Sequence, residues 1–248
     1  MGWLDRLRHK DNSGADDVAA VMARATDAVE RGDHRAALAL WGPLAHAGIA
    51  RAQNNIGACF AEGLGVERDL TLALRWLTLA ANSGDPVGQR NLAALHFRGD
   101  GVAQSDEEAM RLYRLAAEQG DAPAQDMLSW MLLESGLPEA RAEALRWAQA
   151  AAEAGIATSM TRLGMMFHDA LGVERDPAAA AEWWRRGMAA GDPDSEAMLG
   201  AATLLGQGVA QDSERALSLL LSAEAKGSRL AAPFIKAARA ASPIEAAP

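Results

Sequence analysis

Five histidines and one cysteine are the side chains of this 248-residue sequence best suited to metal binding or nucleophilic catalysis. The histidines are His9, His34, His46, His96 and His168. They form no H-E-x-x-H or other recognised ligand spacing, and Cys59 has no second cysteine with which to build a disulfide or zinc site. His96 takes the slot that Phe60 and Phe167 hold in related stretches, the place of a packed ring. His168 lies one residue beyond that slot, where it could face a groove. Cys59, beside Phe60, reads as an inert buried thiol. No metal, cofactor or catalytic residue is expected.

Two glycine-rich stretches resemble phosphate loops, Gly63-Leu64-Gly65-Val66 and Gly99-Asp100-Gly101-Val102. A dinucleotide fingerprint must follow a strand and open a helix. Here the glycines follow a helical pattern, recur four times and lack G-K-[ST], so they read as structural turns. No G-x-S-x-G elbow supplies a serine nucleophile. The carboxylates are scattered, with no singled-out pair for acid–base work. The expectation is a protein that is not an enzyme.

The elements that carry these residues follow from composition. The chain has 57 alanines, 5% aromatic residues and 50% hydrophobic residues, which favours helix over sheet and a folded chain over a disordered one. Thirty-three acidic against 24 basic side chains give a net charge of -9, which argues against nucleic acid as a partner. Arg outnumbers Lys 21 to 3, an association with GC-rich bacterial genomes. The start of the chain has no apolar signal region, and no stretch reaches the roughly 20 apolar residues of a membrane span. A cytoplasmic protein without stable membrane insertion is expected. Trp3, Leu4 and Leu7 share a helical face near Arg6, Arg8 and Lys10, which leaves a weak membrane-surface contact open beside a loose tail.

A 36-residue period organises the rest. Gln53, Gly63, Gly65, Val66, Trp76 and Gly84 return as Gln89, Gly99, Gly101, Val102, Leu112 and Gly120. A third copy from Gln125 is one residue short and has Glu134-Ser135-Gly136-Leu137-Pro138 in place of G-x-G-V. Fourth and fifth copies carry Gly172-Val173, Trp183 and Gly191, then Gly206, Gly208-Val209, Leu219 and Gly227. Each copy reads as two helices, A and B. Asp85-Pro86, Asp176-Pro177 and Asp192-Pro193 offer an N-cap acceptor followed by Pro at the first helical position. Ser105 with Glu108 reads as a capping box, and Gly63, Gly99 and Gly206 as left-handed C-caps. Ile56 and Phe60 share one face of helix A, with Gly57 allowing close approach. Ala73, Trp76 and Ala80 form the matching stripe on helix B, and Trp183 is expected between the fourth copy and its neighbours. So short a helix pair leaves an apolar side bare and must stack on the next.

The pattern A-x-x-x-L-G-x-x-[aromatic]-x-x-G-x-G-V-x-x-D-x-x-x-A-x-x-W-[aromatic]-x-x-A-A-x-x-G resembles the Sel1-like repeat (SLR) family, α-helical relatives of the tetratricopeptide repeat. The resemblance implies an all-α, right-handed α-α superhelix, or solenoid, of about five 36-residue helix-turn-helix repeats with capping helices. A flexible tail over 1–15 then precedes one solenoid over 16–240, and a frayed tail over 241–248 follows it. Within the solenoid come a divergent cap over 16–48, repeats over 49–84, 85–120, 121–155, 156–191 and 192–227, and a closing helix over 228–240.

That resemblance also implies a function: a scaffold or adaptor that holds a peptide or a partner helix on a concave face made by the A helices. By likeness to tetratricopeptide repeats, the inward positions are Asn54, Arg90, Phe97, Asp126, Trp130, Thr161, Met165 and His168, with Glu134, Leu204 and Leu205 beside them. Trp130 is off the period, where other copies have small residues or Met165, so it fills a gap or stands as an exposed anchor. Cysteine-rich members of the family are associated with β-lactamase activity. They carry a Cys pair per repeat, and Cys59 alone does not match them. The partner's identity and the oligomeric state stay open.

Overall fold

The computed structural model describes residues 3–241, with side chains from residue 17 onward. Among these residues there are thirteen α-helices, one 3-10 turn and no strand. They fall into two compact units, Met1–Asp121 and Ala122–Pro248. The first holds α1 (Trp3–Glu30), α2 (His34–His46), α3 (Ala50–Glu62), α4 (Leu70–Asn82), α5 (Pro86–Arg98) and α6 (Asp106–Glu118). The second holds α7 (Ala122–Glu134), the 3-10 turn Pro138–Ala140, α8 (Arg141–Glu153), α9 (Ala157–Asp169), α10 (Pro177–Ala189), α11 (Pro193–Leu205), α12 (Ser213–Ala225) and α13 (Ala232–Ala241). Within each unit every helix packs on the next in sequence. A helices two apart also touch, α3 on α5 and α9 on α11, which is the stacking that a helix pair with a bare side requires.

Two boundaries differ from the expectation. Helix α1 runs back to Trp3 rather than starting at Asp16. The closing helix begins at Ala232, because Ser228 first makes a turn in which its hydroxyl accepts from the Leu230 N–H at 3.2 Å. The membrane-surface reading of Trp3, Leu4, Leu7, Arg6, Arg8 and Lys10 depends on side chains outside the described residues, as does the end of the tail over 242–248.

Local chemistry fixes the helix ends where the capping signals put them. Asp85, Asp176 and Asp192 accept backbone N–H groups at the starts of α5, α10 and α11, and Asp69 and Asp212 do the same for α4 and α12. Ser105 accepts from the Glu108 N–H at 3.2 Å, but the Glu108 carboxylate turns to Arg111 instead, at 2.6 and 2.7 Å. Only the forward half of the capping box is formed. Gly63, Gly99 and Gly206 close α3, α5 and α11 at φ near +70°. In the fourth copy that slot belongs to Ala170, at φ 57°, the one non-glycine with positive φ among the described residues.

The interior corrects the reading of the tryptophans. Trp184, 1% exposed, is the buried ring of α10, whereas Trp183 is half-buried under the Arg186 guanidinium, 4.0 Å from its centroid. Likewise Leu77, not Trp76, is buried between Ala73 and Ala80. One helical step of about 100° separates the two columns; the later one is buried throughout, the earlier one only at Leu112 and Trp147. The later column runs Trp41, Leu77, Tyr113, Ala148, Trp184 and Leu220. Glycines on the A helices make room for it: a Cβ on Gly57 would fall 2.7 Å from Leu77 Cγ, and one on Gly164 would collide with the Trp184 indole. The glycine before each loop valine lies against the start of the preceding B helix, as Gly101 against Leu70 and Gly172 against Arg141. These loops are repeat-to-repeat joints, which settles the glycine motifs as structural.

A candidate partner-binding groove

The inner positions of the A helices first serve the stack itself. Asn54, 3% exposed, donates to Asn55 and accepts from Asn91 of the next A helix at 2.8 Å. Arg90, whose side chain is 27% exposed, points its Nε at Asp121 Oδ1, 3.6 Å away. Asp126 takes the Ser159 hydroxyl and the Arg162 guanidinium, each at 2.5 Å. Thr161, 7% exposed, bonds to Asp192 and to the Ser195 hydroxyl. Asn54, Asp126 and Thr161 are therefore cross-links between successive A helices, whereas the buried Arg90 Nε makes no hydrogen bond. The cross-links satisfy polar groups that would be costly to bury alone. Asn54, buried and bonded on both sides, therefore offers no free group to a partner.

In the second unit, the same face opens into a groove of about 320 Å³. Trp130 and Leu133 of α7 and Met165 of α9 form its apolar wall, and Met165 is 39% exposed. Thr158, Thr161 and Arg162 line it from α9, while Glu134, Asp192 and Asp194 contribute carboxylates. Trp130 is half-buried, neither a core plug nor fully exposed. Of the eight inward positions, the structure brings Trp130, Thr161 and Met165 together in this groove. Asp126 stands behind it as the partner of Arg162.

The remaining positions lie elsewhere. His168 is half-buried, with ring nitrogens 2.6 Å from Asp169 Oδ1 and 2.9 Å from Gln207 Oε1, and its ring tilts over Trp184 at 5.8 Å. Phe97 is half-buried in the first unit. Leu204 is 6% exposed and packs in the core with Ile235 and Leu220, so only Leu205, 55% exposed, faces outward. Sequence reasoning missed Leu133, Thr158, Arg162, Asp192 and Asp194. Asp192 was visible only as a helix cap, and nothing in the period marks Arg162.

The residues suited to other chemistry stay apart. No group of three or more His, Cys, Asp or Glu that could hold a metal occurs among the described residues. Burial pushes the Cys59 thiol above its usual pKa, as an inert thiol requires. His46 bonds to the Gly42 carbonyl and meets Trp76 edge-on at 5.3 Å. The His96 ring is half-buried, with its Nδ1 unpaired among the described residues. No helix among the described residues is long and apolar enough to cross a membrane.

Comparison with known proteins agrees with this architecture. The Sel1 repeat pattern matches residues 50–85, 86–121, 122–156, 157–192 and 193–228, one residue later than the periodicity alone suggests. The crystal structure of a Sel1 repeat protein from Oxalobacter formigenes is similar at 27% identity and TM-score 0.78, covering 86% of this chain and 88% of that one. A protective antigen of uropathogenic Escherichia coli displaying an SLR fold is similar at 29% identity and TM-score 0.79. That match covers 95% of this chain and 51% of the antigen, so the chain spans about half that protein's length. An immunity protein from Pseudomonas aeruginosa, at 18% identity and TM-score 0.50 over 84% of this chain and 83% of that one, shares the fold alone. Five consecutive repeat matches, over helix pairs capped and joined as the repeat demands, show that the chain belongs to the Sel1 repeat family.

Proposed function

We propose that this chain is a non-enzymatic protein-interaction scaffold that holds a peptide or partner helix in the groove of its second unit. Sel1 repeat solenoids are typically protein-interaction scaffolds. The observation that carries the finer reading is the wall of Trp130, Leu133 and Met165, apolar side chains that line the groove beside its polar groups. A half-buried Trp next to an exposed Met offers large contact area at low entropic cost, the make-up of an interface anchor. Cytoplasmic action belongs to the same proposal, and fractionation of the native cell checks it.

The test is capture of partners on the full chain, in parallel with its Met165→Ala and Trp130→Ala variants, each first checked for an unchanged thermal melt. Loss of the same captured protein from both variants supports the groove. Equal capture by wild type and by Met165→Ala, which removes an exposed side chain without touching the core, rejects it.

A further inference from the structure

We infer that the groove selects a peptide segment in which an arginine or lysine stands beside an apolar side chain; the inference rests on the groove reading above. Three carboxylates line the groove, on Glu134, Asp192 and Asp194, against the single cation of Arg162. That cation is already matched, because Arg162, with a side chain 14% exposed, lies 2.5 Å from Asp126 Oδ1. Asp192 is committed to capping α11, where it accepts from the Ser195 N–H and the Thr161 hydroxyl. Glu134 and Asp194 keep capacity to spare. Glu134 is exposed at the end of α7 and has no partner among the described residues, and Asp194 accepts only the Ser228 hydroxyl, at 2.6 Å.

The fields of the helices act in both directions. The C-terminal end of α7 adds negative potential at Glu134, and the N-terminal end of α11 offsets part of it at Asp194. The balance stays negative, since a terminus carries about half a charge and the two unmatched carboxylates carry two. An acidic segment would therefore meet uncompensated like charge, and a purely apolar one would leave the carboxylates desolvated without a partner. A guanidinium or ammonium on Glu134 and Asp194, with its apolar neighbour against Trp130 and Met165, satisfies both surfaces.

The experiment pans a phage-displayed library of random short peptides against the full-length chain and against three variants, Glu134→Gln/Asp194→Asn, Met165→Ala and Trp130→Ala. Asn at position 194 retains an acceptor for Ser228, so the double variant should melt like wild type. The expected result is enrichment of Arg or Lys next to Leu, Ile, Met or Phe. Such a peptide should bind the double variant at least about tenfold more weakly, the effect of one lost charge-assisted hydrogen bond, and should weaken in added salt. Enriched peptides that are acidic or free of basic residues, yet still weakened by Met165→Ala, overturn the charge inference and leave the groove standing. No enrichment, or enriched peptides that bind Met165→Ala and Trp130→Ala like wild type, overturns the groove and this inference with it.

Discussion

Replacing Ala170 with Gly should stabilise the chain. Ala170 ends α9 in the left-handed conformation, φ 57° and ψ 42°, with its N–H bonded to the Met166 carbonyl. An L-residue there costs about 1–2 kcal/mol relative to a right-handed one, and Gly removes that cost. Against this, Gly gives the unfolded chain more freedom, worth about 0.4–1 kcal/mol. Ala170 is exposed, so its methyl surrenders no buried area. The net gain is about 0.5–1 kcal/mol. For a chain of this length, 1 kcal/mol moves the melting temperature by about 2–4 °C, so Ala170→Gly should raise it by about 1–4 °C. Gly206→Ala is the mirror experiment: it adds the same strain and puts a Cβ 3.3 Å from Gln211 Cβ. Urea and thermal midpoints of both variants, with hydrogen exchange to place the change at α9 and α10, measure the effect. A lower midpoint for Ala170→Gly, or shifts of the same sign in both variants, would refute the argument.

Trp184→Ala should cost about 3–5 kcal/mol, as truncation of a buried ring does, and Trp183→Ala much less; the opposite order in urea midpoints would contradict the assignment of the inner column. Asp176→Ala should cost about 0.5–2 kcal/mol, because Asp176 accepts from two N–H groups, of Ala178 and Ala179; an unchanged midpoint would mean that the cap does not hold α10. The hydrogen bonds and charge of Arg111 hold the Glu108 carboxyl below its usual pKa. A depressed carboxyl stabilises the fold above its unfolded pKa, near 4.3, and that contribution is lost as pH falls through the folded value. The pair is exposed and worth only about 0.3–0.5 kcal/mol, so the gap in midpoint between wild type and Arg111→Gln should be small at pH 7 and vanish on acidification.

The repeat, the caps and the joints were legible because each is local chemistry repeated at one offset. Asp before Pro at a helix start, or Gly where φ must be positive, needs no knowledge of what packs opposite. The inner column was not legible in the same way. Every B helix carries two adjacent large or apolar residues, such as Trp76-Leu77 or Trp183-Trp184, and a period finds both columns without saying which is rotated inward. The signal lay across helices: Gly57, Gly164 and Gly200 face Leu77, Trp184 and Leu220. The site was harder still. Asn54, Arg90, Asp126 and Thr161 occupy matching positions and read as a row of ligand-binding groups. Which polar group a neighbouring helix offers depends on inter-helix register, and that register turned Asn54, Asp126 and Thr161 into cross-links. Trp130 stood out because it is off the period, and Met165 came only from the likeness to tetratricopeptide repeats.

Methyl NMR of the methionines, during titration with a peptide enriched from the random library, tests the groove most directly. The Met165 methyl faces the groove, while Met22 and Met110 lie in the first unit. The account predicts that the Met165 resonance moves to saturation as peptide binds, with Met22 and Met110 unmoved. A titration that saturates with Met165 unshifted, or that moves Met22 or Met110 instead, would contradict it.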